Sequence, residues 1–219
     1  MKITVFAAHP DDAETTVGGS ICRYTAAGHA VHVVNMTNNG TARVKCAADS
    51  AAVMGNTVEF MDFKDSEMTV TPEGIELVRK KILERKPDLI WTQFPADVHI
   101  DHICTGALVL EAVDAIRLED GGYAPELWFF APCEGYQALC FHPDHFEDVS
   151  DFYERKRKAV ACYDPPIPIW DCYPIHLTID KFHGYQAGCE FAEGFAKCNF
   201  RIGPCRHRVI GDYEYTEKK

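Results

Sequence analysis

Short apolar runs alternate with longer amphipathic ones through the first 130 residues, and this alternation constrains the fold more than any other feature of the chain. Residues 3–8, 31–36, 57–62, 89–92 and 126–130 read as strands, and residues 15–27, 43–54, 72–85 and 101–118 as helices between them. Glycines at Gly28 and Gly55 stop the first two helices. Strands joined through helices return to the sheet parallel to one another, by right-handed crossovers. The expected fold is therefore α/β, a Rossmann-like, doubly wound and mainly parallel sheet of strand order 3-2-1-4-5. Beyond Pro132 the pattern loosens, and the stretch YDPPIPIWDCYP separates helices expected at 151–162 and 184–197. We read a single domain, with residues 1–131 as its Rossmann-like core and 132–219 as an irregular C-terminal lobe packed on it.

A chain of 219 residues buries roughly 70% of its unfolded surface, so it needs no disulfide or structural metal to hold a core. Its formal charge of −11 repels a phosphate backbone, and it has no run of Lys and Arg for nucleic acid or an anionic membrane. The ten cysteines contain no CxxC pair and read as small buried hydrophobes. There is no signal-like apolar segment near Met1 and no apolar run of about 18 residues, so a reducing cytoplasm is the expected compartment. A homo-oligomer is the general expectation for a soluble enzyme of this size.

Two polar clusters interrupt the apolar pattern at defined places. AAHPDDAETTVGGS puts His9, Asp11 and Asp12 between the first strand and the first helix, and FPADVHIDH puts Asp97, His99, Asp101 and His102 after the fourth strand. In the order 3-2-1-4-5, strands 1 and 4 are neighbours whose connections leave in opposite directions, which opens the crevice where such sheets bind ligands. Either cluster alone is explained by a turn and a helix cap. Together, at two strand ends that the topology brings side by side, they point to a catalytic metal centre.

Imidazole and carboxylate suit Zn2+, with another divalent ion such as Fe2+ able to take its place, and three protein ligands leave an open position. His9, Asp12 and His102 can supply the three. Asp11 is placed to act as general base, His99 to protonate a leaving group, and Asp101 to orient an imidazole. HPDH at 142–145 looks similar but lies outside the strand–helix pattern and is assigned to a surface loop; His29, His32, His176, His183 and His207 lack ligand spacing. Gly18-Gly19 is not a GxGxxG, which removes the support for a nicotinamide cofactor, and predicts instead a close helix-to-sheet approach.

At these residues the sequence resembles the PIG-L/LmbE-like family of zinc-dependent N-deacetylases, through AHPDDAE…GG, DVHIDH and GYQAGCEFAEGF at 184–195. The resemblance implies a Rossmann-like fold, His9, Asp12 and His102 as zinc ligands, Asp11 as base and His99 as acid. It also implies removal of an acetyl group from an N-acetylated small molecule, commonly an N-acetylglucosamine-type compound. Departures fall where substrate is read. The family's T-x-G-[ED] turn is here Thr37-Asn38-Asn39-Gly40, without the acid, and CYDPPI at 162–167 keeps a tyrosine but lacks the Ser-Gln of the expected element. Arg43, Asp65 and Asp97 are the candidate substrate contacts. A non-catalytic metal- or ligand-binding homologue and an amide hydrolase acting on a non-sugar substrate are the alternatives.

Overall fold

The computed structural model describes residues 1–119, 123–133, 137–165 and 169–198, with the backbone alone for 169–172. The parallel part of the sheet comprises β1 (Lys2–Ala7), β2 (Ala30–Asn35), β3 (Thr57–Phe60), β4 (Leu89–Gln93) and β5 (Glu126–Phe130). The connecting helices are α1 (Asp12–Ala26), α2 (Thr41–Met54), α3 (Pro72–Arg85) and α4 (Ile100–Glu119). β1 pairs in parallel with both β2 and β4, β2 with β3, and β4 with β5, giving the expected order 3-2-1-4-5.

Because this sheet is covered on both faces, its central strands β1 and β4 are buried on successive residues rather than on alternate ones. Phe6, Val34 and Ile90 pack on one face with Val78 and Ile82 of α3 and Leu108, Val109 and Ala112 of α4. Val5, Val33 and Trp91 pack on the other with Val17 and Ile21 of α1 and Met54 of α2.

The C-terminal part departs from expectation. The helix expected at 151–162 is α5 (Tyr153–Ala161), preceded by one 3-10 turn, but the helix expected at 184–197 does not form. A helix, α6 (Ile169–Ala187), with Pro174 inside it, ends before the motif does, and its last residues form a strand, β7 (Ala192–Lys197). β7 runs antiparallel to β5, and β6 (His145–Asp148) runs antiparallel to β7, so the sheet has seven strands in the order β3-β2-β1-β4-β5-β7-β6. Four residues of β7 are buried, which an edge or surface helix would not allow. His145, expected in a surface loop, opens β6, packs its ring at a tilt against Trp128 and pairs with Glu147. The cysteine expectation holds for Cys22, Cys46 and Cys104, which are buried, whereas Cys140 is exposed and four others are partly so. Among the described residues no helix is long and apolar enough to cross a membrane. His207 and Cys205 lie outside the described residues.

α4 comes so close to the end of β4 that only glycine fits at 106. A Cβ there would stand 2.3 Å from the Gln93 carbonyl oxygen and 3.1 Å from the Pro95 nitrogen, both main-chain atoms. Gly106→Ala should therefore destabilise the protein by about 3 kcal/mol, the upper end of the usual overpacking cost. Urea unfolding of the variant beside the wild type measures this, and an unchanged midpoint would show that the helix can shift without loss.

Candidate active site

β1 ends into residues 8–11 and β4 into residues 94–99, and α1 and α4 carry the chain away to opposite faces of the sheet. The crevice between them holds both polar clusters. The backbone at Asp11 has φ 118°, a region that L-residues other than Asn and Asp rarely enter, and its side chain caps nothing. Asp12 does not cap α1 either. Its Oδ2 turns back to accept the His9 amide at 2.8 Å and the Gln93 side-chain amide at 3.0 Å. The capping explanation of HPDD therefore fails for both aspartates.

His9, Asp12 and His102 are buried, and one potential ligand atom from each lies within 4.8 Å of the others. His9 Nδ1 is 3.4 Å from Asp12 Oδ2, and His102 Nε2 is 3.4 Å from Asp12 Oδ1. Each imidazole is oriented by a carboxylate on its far side. His9 Nε2–H donates to Asp101 Oδ2 at 3.0 Å, and Asp101 also accepts the Ser66 and Met68 amides. His102 Nδ1–H donates to Asp97 Oδ2 at 3.1 Å, while Asp97 Oδ1 accepts the His99 amide at 2.7 Å. These bonds hold a proton on Nε2 of His9 and Nδ1 of His102, so Nδ1 of His9 and Nε2 of His102, which face Asp12, are the nitrogens that would give up a proton to ligate a metal, an arrangement typical of metal-ligating histidines.

The donor set fits a divalent cation. Burial disfavours charge on both imidazoles, yet the hydrogen bond and charge of Asp12, with Asp101 behind one and Asp97 behind the other, raise His9 to about 9 and His102 to about 10. Asp12 is held well below the carboxylate range, its burial outweighed by the two imidazoles. The field at this point therefore demands positive charge. A second group, His9, His99 and Asp101, shares His9, but the oxygens of Asp101 are already engaged by two amides and an imidazole N–H.

Asp11 lies beside the cluster, and burial together with the charge of Asp12 lifts its carboxyl well above the usual range while Arg43 opposes the rise. His99 is lowered by burial and by its two imidazole neighbours; its Nδ1 accepts the Asp101 amide at 3.2 Å, which leaves Nε2–H as a donor. Asp65 Oδ1 stands 3.3 Å from His9 Nε2, and its Oδ2 accepts the Asn39 side-chain amide at 2.8 Å. Asn39, at the glycine position of the family turn and next to Gly40 where its acid is expected, thus ties the β2–α2 loop to Asp65. Asp97, expected to contact substrate, has a side chain only 1% exposed and both oxygens engaged, so the structure gives it the orienting place behind His102 instead. Arg43 is in the first turn of α2.

Two neighbours escaped the sequence reading: Gln93 binds both Asp12 and the Ala8 amide, and Gln137 lies 3.2 Å from His102 Nδ1. Tyr163, the tyrosine kept in CYDPPI, donates to Glu14 at 3.0 Å behind Asp11. A glutamine at the end of the buried run LIWTQ was the one signal available, since a polar side chain there needs partners.

His176 of α6 is 7% exposed, and burial together with the Lys156 charge lowers it to about 3. Its folded pKa lies below its unfolded one, so the unfolded chain binds the proton first, and the stability of the neutral form is lost as pH falls from about 6.5 toward 3. In metal-free protein, wild type should lose about 2–3 kcal/mol more than His176→Gln between pH 7.5 and 4.5. Urea titrations at the two pH values read the difference, and identical losses would mean that His176 is already solvated.

The sequence profile of GlcNAc-PI de-N-acetylases (PIG-L) matches residues 4–113. The diacetylchitobiose deacetylase of Thermococcus kodakarensis is 27% identical over 220 residues, covering 88% of this chain and 81% of its own. The 4-oxalmesaconate hydratase of Pseudomonas putida is 25% identical over 197 residues, covering 77% and 75%. The structure of N,N'-diacetylchitobiose deacetylase from Pyrococcus horikoshii superposes with a TM-score of 0.76 at 24% identity, over 90% of this chain and 83% of that one. With the matched segment covering half of the chain and both polar clusters, the chain belongs to the PIG-L family of GlcNAc-PI de-N-acetylases.

Proposed function

We propose that this chain is a zinc-dependent hydrolase that removes an acetyl group from an N-acetylated small molecule of the N-acetylglucosamine type. The observation that carries the reading is the convergence of His9, Asp12 and His102, each imidazole oriented by its own carboxylate, beside the strained Asp11. A zinc ion held by these three side chains would polarise an amide carbonyl and acidify water. Asp11 takes the proton of the attacking water, its raised affinity for protons suiting it to that task. The water oxygen bonds to the acyl carbon, the C–N bond breaks, and the departing nitrogen, hydrogen-bonded by His99 Nε2–H, gains the proton that Asp11 took from the water. Acetate and a free amine result. Asp101 and Asp97 hold the two imidazoles, and Asp65, beside His9, and Arg43, whose charge reaches Asp11, are the proposed substrate contacts.

A second reading, addition of water to an unsaturated acid, is supported by the likeness to the hydratase and by Gly40 standing where the family's sugar-reading acid is expected. Two measurements separate the readings. Elemental analysis of protein purified without chelator should find about one zinc per chain, lost in the His9→Ala/His102→Ala double variant, and incubation with N-acetylglucosamine and N,N'-diacetylchitobiose should release acetate. Loss of diene absorbance from a carboxylated muconate without acetate release would favour the hydratase reading. No metal even after supplementation would overturn both.

A further inference from the structure

The C-terminal motif takes no part in the chemistry above, yet its glutamate reaches the helix that carries Asp12. Glu193, in β7, is 1% exposed; Oε1 accepts the Gly19 amide at 2.8 Å and Oε2 the Ser20 amide at 2.7 Å. Lys156 of α5, fully buried, stands 2.8 Å from Glu193 Oε1 and 2.7 Å from Asp180 Oδ2 of α6.

α1 is broken where this network meets it. Val17 has φ −126° and ψ 18°, so residues 12–16 form one short segment and the helix resumes at Gly18. A resumed helix begins, like any other, with amides that need acceptors. Glu193 supplies a carboxylate to two of them, and the positive helix end together with Lys156 balances the charges of Glu193 and Asp180. Gly19 makes the approach feasible, because a Cβ there would stand 2.7 Å from Val149 Cβ and 3.0 Å from Glu193 Oε1.

We infer that Glu193, held by Lys156 and Asp180, is a positioning residue that caps the second segment of α1 and thereby sets the angle at which the first segment presents Asp11 and Asp12 to His102. This rests on the metal-centre reading of those residues. A purely structural role would lower stability without touching the centre.

The test compares Glu193→Gln, which keeps the shape and removes the charge, with Glu147→Gln. Glu147 is also a buried glutamate, bonded to Tyr24 at the far end of α1 and to His145. Thermal midpoint, zinc affinity by chelator competition and the visible spectrum of cobalt(II)-substituted protein are measured for each. Both variants should melt earlier, but only Glu193→Gln should bind zinc about tenfold more weakly, as expected for a group that orients a ligand, and alter the cobalt bands. Wild-type affinity and spectrum in a folded Glu193→Gln would overturn the inference whatever its midpoint. Should the variant not fold, amide exchange on the unaltered protein decides. Zinc should slow Gly19 and Ser20 more than it slows Trp128 of β5, and equal slowing would overturn the coupling. Failure of the wild type to bind either ion would instead sink the metal reading, and this inference with it.

Discussion

Asp11→Asn should leave zinc bound at wild-type stoichiometry while kcat for acetate release falls on the order of 1000-fold, within the range set by general-base catalysis. Asparagine matches the shape of aspartate and tolerates the left-handed backbone that residue 11 adopts, so the change removes proton-accepting ability and little else. Asp12 cannot substitute for it. Its two oxygens already face His102, the His9 amide and Gln93. Metal analysis beside a single-turnover assay separates the effects, and activity within tenfold of wild type would remove Asp11 from the base role.

His102→Ala should abolish stable metal binding. Losing a group that merely orients a ligand typically costs roughly 10–100-fold in metal affinity, so losing a ligand from a three-donor set should cost at least on the order of 1000-fold. Asp97→Asn provides the internal scale. It keeps His102 but weakens the acceptor that fixes its tautomer, and should fall in the 10–100-fold band. Chelator competition measures both. Equal effects for the two variants would mean that His102 acts only through Asp97, and unchanged affinity in His102→Ala would take it out of the ligand set.

The parallel half of the sheet was legible because strands buried on both faces are written as short, largely apolar runs, and helices between them as 3.6-residue periodicity with glycine stops. The pairing of the two polar clusters was legible for a topological reason: neighbouring strands whose connections diverge must open a crevice. FAEGFAK was misread as helix because Ala, Glu and Lys are helix formers locally. Only the amides of Gly19 and Ser20 and the ammonium of Lys156, more than 30 positions away in sequence, make a glutamate tolerable inside a buried strand. The orienting role of Asp97 was equally invisible, since the same carboxylate two residues before His99 reads as a substrate contact until the fold turns it toward His102. Gln93, Gln137 and Asn39 belong to this class too, as each acquires its partner from a loop or strand that sequence spacing does not place.

The left-handed backbone at residue 11 also bears on what selection has kept there. Glycine is the residue that enters this region without steric cost, and it would let the chain pass from β1 into α1 free of strain. It would also remove a carboxyl that its surroundings hold in an unfavourable field. With Asp11 as the proposed base, the most durable form of this protein and its working form differ at residue 11, and a search of random variants for thermal resistance alone is expected to drift toward Asp11→Gly at the cost of activity.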